Sequence, residues 1–328
     1  MARRRGFRLV ALLALVAMLA FSMAGCASKT DTGTSTDGGA TAEKIKVGLV
    51  QINQQAIFFN QMNEGAQAAA DEVGVDLTIF NANDDAAKQN EGIANFVTQG
   101  FDAIIVVAID VEGVKPAIEE AKAAGIKIIA VDAVVEDDAV DVQVGVDNEA
   151  AGAEIGQFVV DYMTANNVTN KNIGVIGALN SFIQNLRKDS FVKVVEGAGA
   201  TITQVVDGQN RQEAAMTAAE NLFTAQADTQ IMYATGEPAM VGAVAAVRSQ
   251  NKGATVKLFG WDLTAEVIQG IDDGFVIGVV QQDPKTEGYE AVKAAKTLVD
   301  GGSVDKLMNI PITIVTKDNV EPYRAIFK

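Results

Sequence analysis

With no histidine and one cysteine in 328 residues, this chain lacks the commonest general base and metal ligand, and can build no Ser-His-Asp or Cys-His nucleophile of its own. Carboxylates, amides and aromatic rings remain, and they recur just after short apolar runs. Gln55, Phe58 and Phe59 follow Lys46–Ile52, and Asp132 follows Ile126–Val131. Phe182 comes after Asn172–Ile176, Glu237 after Ile231–Tyr233, Trp261 and Asp262 after Val256–Phe259, and Gln282 after Val276–Val280. Carboxylates and amides exchange hydrogen bonds with hydroxyls, while ring faces cover apolar C–H surface. The set suits a neutral polyhydroxy ligand. Acids with few bases near them also admit a cationic or nucleoside-like ligand, and the pair Asp132 and Asp262 admits glycoside hydrolysis.

The apolar runs alternate with helical patterns. Strands are predicted over Lys46–Ile52, Val75–Phe80, Ala103–Ile109 and Ile126–Val131, with helices over Asn60–Val73, Asp85–Gln99 and Glu112–Ala124. A second half repeats the pattern. Its strands lie over Gln143–Val146, Asn172–Ile176, Ile202–Val206, Ile231–Tyr233, Val256–Phe259 and Val276–Val280, and its helices over Asn148–Thr164, Asn185–Gly197, Arg211–Thr224, Pro238–Ser249, Thr264–Ile271 and Thr286–Asp300. The tail Ile310–Val315 reads as one extended piece. Fully apolar strands such as AIIVVAI are buried on both faces, as in a parallel sheet. The fold class is therefore α/β, with two doubly wound parallel-sheet lobes. Ligands of such sheets bind outside the carboxyl ends of the strands, where the polar and aromatic residues collect. Asp147 and Asn148 are predicted to cap a helix rather than to bind ligand. Asn83-Asp84-Asp85 and Asp272-Asp273-Gly274 read as turns, too sparse in oxygen ligands for a calcium loop.

The amino terminus reads as an address. Arg3, Arg4, Arg5 and Arg8 precede an apolar run from Leu9 to Phe21, then Met23-Ala24-Gly25 and Cys26. That run is too short to span a bilayer and has the order of a secretion signal. Its end resembles the lipobox of bacterial lipoproteins, which implies removal of residues 1–25, acylation of Cys26 and anchoring to a membrane outside the cytoplasm. Arg4-Arg5-Gly6-Phe7 also hints at twin-arginine export. Residues 26–43 are small and polar, a flexible tether. Removing the four arginines of residues 1–25 takes the net charge from −16 to −20. So acidic a chain disfavours nucleic acid. No cysteine pair remains to form a disulfide.

Residues 44–328 resemble the ribose- and galactose-binding family of periplasmic solute-binding proteins for ABC importers. The resemblance is carried by KVGLVQINQQAIFFNQMNEGAQAAADEVG, AIIVVAID, GIKIIAVDA, VGVDNEAAGAEIG, FGWDLTAEVIQGIDDG and QQDPKTEGYEAV, in that order. It implies the type I periplasmic binding protein fold, with lobes at 44–147 plus 283–312 and 148–282 plus 313–328. Three strands form the hinge, and closure occurs around one ligand. It also implies a monomer that serves an ABC permease or a chemoreceptor, binds small molecules without a cofactor or metal, and is not an enzyme. Phe58 and Phe59 match the family's aromatic pair, Asp132 and Asp262 its two aspartates, and Gln282, beside Gln281, its glutamine near the hinge. A family asparagine falls at Ala56, with Gln55 or Asn53 as its replacement; another falls at Gly236. One family arginine falls at Ala133 and a second near Asn185, with Arg187 two residues on read as structural. Two lost arginines imply a pocket with less positive charge than a pentose site, and hence a ligand other than ribose. A repressor of the same two-lobe fold would need an amino-terminal helix-turn-helix where this chain carries the signal and tether.

Overall fold

A computed structural model describes residues 44–327. The export signal read over residues 1–25, the lipidation residue Cys26 and the tether 26–43 lie outside the described residues. Among the described residues, no helix is long and apolar enough to cross a membrane.

Among the described residues, twelve strands fall into two six-stranded sheets. The first contains β1 (Lys46–Gln51), β2 (Asp76–Asn81), β3 (Ala103–Val106), β4 (Lys127–Val131), β5 (Val142–Gly145) and β11 (Leu307–Asn309), in the order β11-β5-β4-β3-β1-β2 and parallel throughout. The second contains β6 (Asn172–Gly177), β7 (Thr201–Asp207), β8 (Ile231–Ala234), β9 (Lys257–Trp261), β10 (Val276–Gln281) and β12 (Thr313–Val315), in the order β12-β10-β9-β8-β6-β7. Only β12 is antiparallel there. Strands β3 and β8 are buried at every position, as expected where helices cover both faces of a parallel sheet. The chain passes between the sheets three times: after β5, after β10, and between β11 and β12. Of the tail predicted as extended, Ile310–Val315, only Thr313–Val315 is a strand, because residues 310–312 carry the chain from β11, which was not predicted, to β12 in the other lobe.

Two helices set the geometry of the first sheet's carboxyl edge. Helix α1 (Ile57–Val73) buries Met62, Gly65, Ala66, Ala69 and Ala70, a stripe at helical spacing. It ends on Gly74, whose φ of 74° supplies the left-handed cap. Its partner is α9 (Pro284–Val299), which begins on the cap Asp283. The two backbones touch. A Cβ on Gly65 would stand 1.8 Å from the Lys285 carbonyl oxygen, and one on Gly288 would stand 2.1 Å from that of Met62. This contact fixes Phe58 and Phe59 of α1 relative to Gln281 and Gln282, just ahead of α9.

In the second lobe, α4 (Asn148–Ala165) packs on α5 (Phe182–Gly197). Helix α5 starts three residues earlier than the predicted Asn185, because the Ser181 hydroxyl accepts the Gln184 amide and forms the N-cap. Asp147 caps α4 by accepting the Ala150 amide.

Candidate functional site

A cavity of about 790 Å³ opens between the carboxyl edges of the two sheets, lined from both lobes. From the first come Gln55, Phe58, Phe59 and Asp132; from the second come Gln184, Arg187, Glu237, Asp262 and Glu266; Gln281 and Gln282 stand at the crossing between them. A hollow of similar size, about 770 Å³, holds Asp138, Gln143, Asp147 and Lys306 but none of these rings or strand-end aspartates. Among the described residues, no cluster of three or more acids or cysteines is disposed to hold a metal ion.

Asp132 and Asp262 occupy equivalent places in the two lobes. Each follows the last residue of a central strand, β4 or β9, and each has φ of 63°. Each backbone N–H is still held by the neighbouring strand: Asp132 donates to the Val144 carbonyl and Asp262 to that of Val280, both at 2.9 Å. Aspartate enters the left-handed region more readily than most non-glycine residues. Here that conformation turns the chain off the strand while a carboxylate stays in the cleft. The Asp262 Oδ1 accepts from the Gln282 Nε2 at 2.9 Å. Gln282 is in turn held through the Gln281 side chain, which donates to the Gln282 carbonyl and accepts the Leu263 amide.

The charge between the aspartates comes from Arg187. This buried side chain donates from Nε to the Asn148 Oδ1 at 2.7 Å and from Nη1 to the Thr235 carbonyl at 3.2 Å. Its guanidinium lies 3.6 Å over the Trp261 ring. Burial raises the Asp132 carboxyl to about 6; Arg187 pulls it down and Asp262 pushes it up. Burial also raises Asp262, opposed by Arg187 and by the Gln282 hydrogen bond. Glu237, at the rim, is raised by partial burial and then by Asp262 and Glu266. Burial lowers Arg187, and the facing anions Asp262 and Asp132 hold it up.

The structure brings together Gln55, Phe58, Phe59, Asp132, Glu237, Asp262 and Gln282 of the residues predicted from sequence. The two phenylalanines meet edge to face at 5.4 Å. Asn53 organises the loop instead, accepting the Gln55 amide and donating to Asp84. Three predicted residues lie elsewhere. Trp261 has no exposed surface and donates from Nε1 to the Tyr233 hydroxyl at 2.8 Å. Arg187 covers its face, so the ring is a platform for the arginine rather than for a ligand. Phe182 is 62% exposed and lines a side hollow with Val111, Ala133 and Val134. Asn185 donates to the Leu179 carbonyl and braces the loop ahead of α5. The expectation of a cleft that has lost both arginines is likewise corrected, since Arg187 lines it. Sequence reasoning missed Gln184 as well. This residue joins Ala178, Thr235 and Asn210 across the second lobe. The signal for it was Ser181 followed three residues on by Gln184, the pattern of a capping box.

The site therefore offers acceptor oxygens from four acids, forked and amide donors, and the rings of Phe58, Phe59 and Phe327. The chain belongs to the periplasmic binding protein domain family, whose profile matches residues 47–303, and within it to the type I sugar-binding proteins. It is 24% identical over 297 residues to the ribose import binding protein of Bacillus subtilis, covering 90% of this chain and 95% of that one. It is 28% identical over 320 residues to the fructose import binding protein of Bifidobacterium longum, covering 92% and 91%. Among solved structures, an ABC transporter solute binding protein from Mycobacterium smegmatis with bound glycerol superposes with a TM-score of 0.72 at 30% identity, covering 85% of this chain and 96% of that one. These relatives carry the names of import or transporter binding proteins.

Proposed function

We propose that this chain is a lipid-anchored, extracytoplasmic receptor. It captures a small neutral polyhydroxy ligand, a monosaccharide, polyol or cyclitol, between its lobes by hinge closure and delivers it to an ABC permease. The observation that carries this reading is the pair of left-handed strand-end aspartates in one cleft, Asp132 from one lobe and Asp262 from the other, with Arg187 and Gln282 as donors. A ligand that bridges them ties the lobes together. Residues 44–147 with 283–312 and residues 148–282 with 313–328 are the moving bodies, a division supported by the three crossings between the sheets. Cys26 and the tether 26–43 supply the anchor. Relatives with ribose, fructose and xylitol in their names support the ligand class.

A second reading, a cationic or nucleoside-like ligand, draws on the excess of acids over the single Arg187 in the cleft. The test for both is native mass spectrometry of the protein as purified, paired with a thermal-shift screen of monosaccharides, polyols, cyclitols, nucleosides and amines. A ligand bound only by the folded state raises the melting temperature. A polyhydroxy hit that vanishes in Asp132→Ala and Asp262→Ala supports the first reading; a response restricted to amines or nucleosides overturns it.

A further inference from the structure

Helix α9 carries an acid that takes no part in the contacts described above. Glu287 has no exposed surface, and neither carboxylate oxygen has a hydrogen-bond partner among the described residues. It lies in the first turn of α9, behind the cap Asp283. The adjacent Gly288 abuts the Met62 carbonyl, so this turn is packed closely on α1. The charged groups facing Glu287 are Asp132 beyond β4, Asp262 beyond β9, Asp283 on its own helix and Arg187 on α5. On the packed helix α1, the acids Glu64, Asp71 and Glu72 are exposed, and Lys127 stands at the far end of β4. The carboxyl is therefore buried without a donor among the described residues, and three acids and one cation act on it electrostatically. An ionised carboxylate so placed is far less favourable than the neutral acid. Burial and the three acids all hold its proton affinity well above the ordinary carboxylate range, against Arg187 alone.

We propose that Glu287 is a positioning residue beneath the cleft: it is kept as the uncharged acid while Asp132 is ionised, leaving Arg187 to serve Asp132 and Asp262, and it thereby links ligand binding to its own charge state. If Glu287 lost its proton to solvent, a third buried anion would compete for Arg187, and Asp132 would hold its own proton more tightly. Any ligand that engages Asp132 changes the proton affinity of Glu287, and by reciprocity pH changes the ligand affinity. That last step rests on the reading of Asp132 as a ligand acceptor; the charge state of Glu287 does not.

The test is infrared spectroscopy of the intact, ligand-free protein with its glutamates labelled with carbon-13, which separates their carbonyl bands from those of the aspartates. At pH 7 the wild type is expected to show the stretch of a protonated glutamic acid, absent from Glu287→Gln. In Asp132→Asn, which leaves position 287 untouched, the pH at which this band disappears should fall by about one unit, a tenfold loss of proton affinity. A buried acid with a purely structural role would keep its midpoint. No protonated band at pH 7, or the same midpoint in wild type and Asp132→Asn, overturns the proposal. The titration needs no ligand, so a screen without hits would count against the receptor reading alone.

Discussion

Asp132→Asn separates the charge of the cleft from its shape. Asparagine tolerates the left-handed region almost as well as aspartate, so the φ of 63° is retained and only the carboxylate is lost. The folded carboxyl titrates at about 6 against an ordinary 3.8. For a group whose proton affinity is raised on folding, the folded state binds more protons than the unfolded state between those values. Stability then falls as pH rises through that window. At about 1.4 kcal/mol per pH unit the gap corresponds to about 3 kcal/mol against folding at pH 7. Arg187 loses one facing anion in the variant, so the net gain is expected to be about 1–3 kcal/mol. With a melting temperature change of about 2 °C per kcal/mol in a protein this size, the variant should melt roughly 2–6 °C above wild type at pH 7. At pH 4 the two should melt nearly together. Ligand recognition should move the other way. A hydrogen bond to a charged group is worth about 1.5–3 kcal/mol, so affinity should drop about ten- to a hundredfold. Differential scanning fluorimetry from pH 4 to 8, without and with ligand, reads both effects. An Asp132→Asn protein that is less stable than wild type at pH 7, or whose advantage persists at pH 4, refutes the reasoning.

Gly65→Ala should destabilise by about 1–3 kcal/mol or more, because its Cβ meets backbone rather than a side chain that can move; denaturant unfolding measures this. Phe58→Ala should cut the ligand-induced melting shift through an affinity loss of about tenfold, while Phe182→Ala, outside the main cleft, should leave it intact. An equal loss in both would return Phe182 to the site. Trp261→Phe should leave the buried Tyr233 hydroxyl without its donor and lower stability by about 1–3 kcal/mol. Full stability in that variant would contradict a stabilising role for the Trp261–Tyr233 hydrogen bond.

Sequence reading succeeded where a residue's position follows from its place along a strand. Asp132, Asp262 and Gln282 come directly after apolar runs, and parallel connections bring all such ends to one edge. It was less reliable on helices. Asn185 and Arg187 differ by two positions, which is about 200° around a helix, so only one of them can face the cleft. The Ser181 cap sets that phase, and the cap was placed three residues late. The tail was read as continuous because nothing local distinguishes Ile310–Pro311–Ile312 as a passage between sheets.

By itself the sequence determined the alternation of strands and helices, the parallel sheets and the ring of carboxylates, amides and aromatics at their carboxyl ends. These follow from periodicity and the fixed hand of the connections. The tertiary structure alone decided that Arg187 rather than Trp261 faces the cavity, that Phe182 and Asn185 stand outside it, and that Glu287 is sealed behind it. A helical side chain's surroundings depend on the phase and depth at which its helix packs against distant elements: α5 against α4, and α9 against α1, where a glycine lies against a carbonyl more than 200 residues away in sequence.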